Sequence, residues 1–143
     1  MKSTVKIAAF SSLLALSLLA ACASSGHRVE ERKELLSRYS QYSGEPVSQF
    51  NMYTKFDSWS EVDAQHVLIH TNVNETYLLT VVPTCTELPF ATSIGLTSRF
   101  SNTVASGFDS VRVGRDLCRI TEIRPVNYKQ MQADLAEARK NKG

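Results

Sequence analysis

The stretch His66-Val67-Leu68-Ile69-His70-Thr71-Asn72-Val73-Asn74-Glu75-Thr76-Tyr77-Leu78-Leu79-Thr80-Val81-Val82 decides the fold. Two runs rich in β-branched and aliphatic residues flank a short polar segment, 72–75, which is the signature of a hairpin. Pro83 cannot donate to a sheet ladder and stops the second run. Working upstream, Phe50, Met52, Thr54 and Phe56 alternate with Asn51, Tyr53, Lys55 and Asp57, a period-2 strand pattern, and Trp59 follows in a polar turn. Downstream, Leu88-Pro89-Phe90-Ala91 reads as one helical turn or a loop, 94–97 as a short strand, and Ser101-Asn102 as a turn. Residues 109–114 and 117–123 read as a hairpin across Arg115-Asp116. Asn127 then opens a helix, with Gln130 three residues on and Tyr128, Met131, Leu135 and Ala138 on one stripe. The expected fold is mainly β: a small antiparallel sheet or barrel of about six strands carrying a C-terminal α-helix.

Composition agrees with one globular domain. The chain has 143 residues, 43% hydrophobic and 21% charged, which excludes disordered, collagen-like and coiled-coil classes. Its 16 Lys plus Arg exceed its 14 Asp plus Glu only through Lys2 and Lys6. From residue 22 onward the charges balance, so bulk charge gives no support for a nucleic-acid partner.

Lys2 and Lys6 open a segment with the order of a secretory signal. The apolar run that follows, residues 7–19, falls short of the roughly 20 residues a membrane-spanning helix needs. It ends Leu19-Ala20-Ala21-Cys22, which resembles the lipobox of bacterial lipoproteins. That resemblance implies diacylglycerol and an acyl chain such as palmitate on Cys22, cleavage of 1–21, and a durable anchor, since two or three chains hold where one does not. Ala23 in place of Asp implies the outer membrane, facing the periplasm. The alternative is ordinary signal cleavage at Ala21-Cys22-Ala23, giving a soluble periplasmic protein. Residues 22–46 then form a tether with a short helix over 29–42, and 47–143 the β-domain.

Lipidation of Cys22 leaves Cys85 and Cys118, which an oxidising envelope would join as a disulfide. The order of further residues carries a second resemblance: Gly44-Glu45-Pro46-Val47, Trp59, Tyr77-Leu78-Leu79, Cys85 and Leu88, then Ile94-Gly95-Leu96-Thr97-Ser98. Phe108-Asp109-Ser110-Val111, Cys118-Arg119-Ile120 and Ile123-Arg124-Pro125 complete it. Over residues 44–130 the chain resembles a domain-of-unknown-function family of small lipoproteins or secreted proteins from Gram-negative bacteria. The resemblance implies a compartment and a fold class, and no activity, cofactor or partner.

Four constellations bear on chemistry. His66 and His70 would share a metal on a helix, but on a strand they stand roughly 13 Å apart, so no metal or cofactor is expected. No G-x-S-x-G elbow occurs, and an enzyme is disfavoured. Trp59 with Asp63 and His66 suggests a site for a small ligand or cell-wall glycan, possibly hydrolytic, although Trp59 is first expected to anchor the core and Asp63 to cap a turn. Across an Arg115-Asp116 turn, Arg112 would face Arg119, an arrangement that invites an anion or an acidic partner. Against it stands the reading that both arginines splay into solvent, or that Asp109 and Glu122 neutralise them. The sequence therefore points to a non-enzymatic binding or structural module anchored in the outer membrane, with an envelope protein or glycan as partner.

Overall fold

The computed structural model describes residues 20–100 and 102–143, the side chains of 20–25 excepted. The expected signal segment up to residue 19 and the Cys22 thiol lie outside these described residues. The chain divides at Glu34/Leu35 into two compact units. The helix α1 (Ala20–Gln41) has its described residues up to Glu34 in the first unit, where its exposed surface carries a Glu30–Lys33 pair one turn apart, and its last residues in the second.

The second unit, Leu35–Gly143, holds every strand. Chain order gives β1 (Gln49–Asn51), β2 (Ser58–Glu61), β3 (His66–Asn72), β4 (Glu75–Val81), β5 (Gly95–Leu96), β6 (Thr103–Ala105), β7 (Ser110–Val113), β8 (Asp116–Pro125) and the helix α2 (Tyr128–Lys140). The fold is mainly β, as expected. Six strands in the order β2-β3-β4-β8-β7-β5 form an antiparallel half-barrel, and β1 pairs with β6 in a second, two-stranded sheet.

Two cores flank the half-barrel, which explains the unbroken apolar run in β3. Val67 and Ile69 point inward with Leu79, Val81, Ile120 and Ile123, and the β1–β6 pair closes this inner core with Phe50 and Val104. Leu68 and Leu78 point outward against Tyr39 of α1 and Met131 of α2. A strand buried on both faces cannot show alternation. The inner core also holds the Cys85–Cys118 disulfide, with Cα atoms 5.3 Å apart. Asn127 caps α2 by accepting the Gln130 N–H at 3.2 Å. Ala138, in the last turns of α2, is exposed, so the apolar stripe ends at Leu135.

Three sequence expectations need correction. The alternating segment 50–57 is a strand only to Asn51, because its partner β6 is three residues long; Met52 and Phe56 still pack on the inner core. Alternation reports which side meets the core, not whether the backbone is paired. Trp59 lies in β2 rather than in a turn, opposite Ile69. The last hairpin turns at Gly114-Arg115, one residue earlier than expected, with Val113 opposite Asp116. Gly114 has φ 57, a conformation glycine adopts without strain and the hallmark of the first position of a tight hairpin turn. The register moves by two, so Val111, Val113, Cys118 and Ile120 keep their inward face. Arg112 now faces Leu117, and Arg119 faces Ser110.

Candidate functional site

A cleft of about 930 Å³ opens in the second unit, at one end of the half-barrel. Its floor is the β3–β4 hairpin, and its walls are the end of α1 and the junction of β8 with α2. The hairpin is pinned by its own turn chemistry. Asn72 Oδ1 accepts the N–H groups of Asn74 and Glu75 at 2.8 and 3.1 Å, and its amide donates to Glu75 Oε2 at 2.9 Å. The walls are stitched by backbone bonds: Gly44 N–H donates to Pro125 O at 2.8 Å, and Asn127 N–H to Tyr42 O at 2.9 Å. A Cβ on Gly44 would sit 3.3 Å from the Pro125 ring, so the close approach of these walls favours glycine. Lys129 Nζ donates to Asn74 Oδ1, joining α2 to the hairpin.

His70 is the central ionisable group. It stands opposite Thr76 in the ladder, and its Nδ1 lies 2.8 Å from the Thr76 hydroxyl. The imidazole meets the Tyr128 ring edge-on, centroids 4.6 Å apart. Its carbonyl accepts the Asp57 N–H at 2.8 Å. Burial pushes the His70 pKa below its usual value, opposed by the Asp57 charge, so the ring is neutral at pH 7. The Thr76 hydroxyl either donates to Nδ1 or accepts from it. The tautomer, and hence whether Nε2 donates or accepts, follows whatever Nε2 meets. On the opposite wall Tyr42 donates to Asp134 Oδ2 at 2.6 Å; that bond, and then burial, raise its phenol pKa.

A pH dependence follows from His70. Its folded pKa lies below the unfolded one, so the unfolded chain binds more protons between the two values, and stability falls as pH drops through that window. Denaturant midpoints measured from pH 7.5 to 5 are expected to decline from about 6.5 downward. In His70→Asn that component of the decline is expected to vanish.

The residues singled out from sequence do not converge. Trp59 packs partly buried against the inner core, whereas His66, opposite Thr80, projects from the other face of the sheet. Asp63 and His66 do meet, with Oδ1 2.7 Å from Nδ1. That oxygen also accepts the N–H groups of Gln65 and His66 at 2.8 and 2.9 Å, which makes Asp63 a fixture of the β2–β3 turn. His66 and His70 occupy one strand, and among the described residues no three His, Cys, Asp or Glu are grouped to hold a metal. Arg112 and Arg119 lie on the outer face of β7 and β8, both exposed and diagonal to one another. Asp109 and Glu122 do not neutralise them. Asp109 is buried and accepts the Arg99 and Ala105 N–H groups at 3.0 and 2.9 Å, and Glu122 pairs with Arg124 at 2.7 Å.

The cleft itself was not legible as a site. His70 stood out only as a metal candidate, Asn127 as a cap and Tyr128 as a core residue. Nothing local in the sequence brings residues 41–44, 70–76 and 125–129 together.

The match to a family's sequence profile spans residues 3–142, nearly the whole chain. The chain belongs to the DUF6491 family of unknown function. The family carries no assigned activity to set against the cleft. No curated protein and no solved structure shows significant similarity to the chain.

Proposed function

We propose that this DUF6491 protein is a non-enzymatic binding module, lipid-anchored through Cys22 to the outer membrane, facing the periplasm and holding an envelope glycan in the His70 cleft. The observation that carries the reading is the chemistry of the cleft wall. Asn74, Asn127 and Gln41 bring carboxamides, Tyr128 an aromatic surface, and His70 a neutral ring whose tautomer adapts. Asp57 and Lys129 supply one charge of each sign. Groups that both donate and accept suit a ligand of the same kind, and sugar hydroxyls are the common example. The volume lies within the range of small-ligand clefts. The resemblance of Leu19-Ala20-Ala21-Cys22 to a lipobox supports the compartment. This reading places the glycan at His70, away from Trp59, Asp63 and His66.

Co-sedimentation with purified peptidoglycan sacculi tests it. The full chain is expected to pellet with sacculi, and Asn74→Ala to be retained about fivefold less, the scale of a lost net hydrogen bond. A chain that stays in the supernatant, or equal retention of the variant, contradicts the proposal.

A further inference from the structure

Within the second unit, Tyr39 and Met131 pack against Leu68 of β3 and Leu78 of β4, and among the described residues of that unit no helix side chain joins Arg112, Leu117 or Arg119 on the outer face of β7 and the first half of β8. That uncovered face presents Arg112 beside Leu117 and Arg119 beside Ser110. A shallow groove there joins Leu117 and Arg119 to Arg99 and Phe108. Leu117 is 59% exposed and Phe108 64%, and what sets this pair apart from the other exposed apolar side chains is that both line one groove with Arg99 and Arg119. The surrounding charge is one-sided. Among the described residues none of Arg99, Arg112 or Arg119 has an ion pair, and the carboxylate of Asp109 is turned inward to backbone amides.

We infer that this face rests on an anionic phospholipid surface, with Phe108 and Leu117 entering the interface and Arg99, Arg112 and Arg119 meeting lipid phosphates. Charge complementarity argues for it. The chain after residue 21 is neutral overall, so three unpaired guanidiniums gathered on one face are a local feature with a local purpose. Isolated apolar side chains flanked by cations match the boundary between headgroups and acyl chains, where each end of such a patch finds its solvent. An acidic protein would offer carboxylates at fixed positions, yet the arginines stand on the register without side-chain partners that hold them in a fork. The inference is independent of the cleft and of what it binds.

The test uses the full chain in vesicles of 30% phosphatidylglycerol and 70% phosphatidylcholine, with brominated acyl chains as fluorescence quenchers. In a Trp59→Phe background, Phe108→Trp reports on this face and Val73→Trp on the hairpin of the cleft, where Val73 is even more open at 83% exposure. Phe108→Trp is expected to be quenched and blue-shifted, and Val73→Trp to remain water-like. Adding Arg112→Glu and Arg119→Glu is expected to weaken the vesicle-dependent quenching at least about tenfold, the scale set by two lost cations at an anionic surface. Equal quenching at both positions, none at Phe108→Trp, or indifference to the charge reversals overturns the inference. A photocrosslinker at Phe108 in living cells that yields a stoichiometric protein adduct and no lipid adduct also overturns it, assigning the face to a protein.

Discussion

Replacing Cys85 and Cys118 together by alanine is expected to lower the unfolding free energy by about 3.7 kcal/mol on the loop-entropy scale. The bond joins residues 33 apart in sequence, so it removes a long loop from the unfolded ensemble. Its native-state role points the same way. Cys85 follows β4 and Cys118 lies in β8, both buried beside Leu88, so the bond fastens the irregular segment between β4 and β5 onto the sheet. The rest of that segment's hold on the core is modest: Leu88 fills it and Ala91 and Ile94 pack at its margin, while Phe90 is 80% exposed. A domain of this size has about 5–15 kcal/mol in all, so the loss is a large share. Denaturant unfolding of wild type and variant, with and without reductant, checks it. Reductant is expected to bring the wild type down to the variant and leave the variant unchanged.

The second large effect concerns Cys22. Growth with an alkyne-tagged fatty acid is expected to label the wild-type chain, and Cys22→Ser to lose that label entirely. One acyl chain binds a bilayer only marginally, whereas diacylglycerol and an amide-linked chain together would hold the protein on the membrane through washing. Label retained by Cys22→Ser, or a wild-type chain that is processed, unlabelled and soluble, would replace the anchor with ordinary secretion. The two cysteine predictions are linked, because only export to an oxidising compartment lets Cys85 and Cys118 pair.

Much of the fold was readable because its signals are local. The β3–β4 hairpin announces itself through Asn72, whose side chain builds the turn, and through apolar runs on both sides. Asn127 and Met131 fix the start and inward face of α2 within one turn of each other. What escaped depends on distant partners. β6 is three residues long and exists because β1 lies beside it. The bulge between β4 and β8, where Thr80 faces Glu122 but Val81 faces Ile120, keeps Ile120 and Ile123 on one face although they are three apart. In the final hairpin the conformational freedom of Gly114 outweighs the polarity of the Arg115-Asp116 pair and sets the turn one residue earlier. The cleft escaped for a related reason: His70, Tyr42 and Asn127 carry ordinary local roles, and only the folded sheet sets them around one space.

The most direct test is amide NMR of the isotope-labelled mature chain titrated with peptidoglycan glycan strands stripped of their stem peptides. Shifts are expected to be confined to residues 41–44, 70–76 and 127–129, the walls and floor of the cleft. Shifts gathered instead around Trp59, Asp63 and His66, or none at all, would contradict the proposed glycan site.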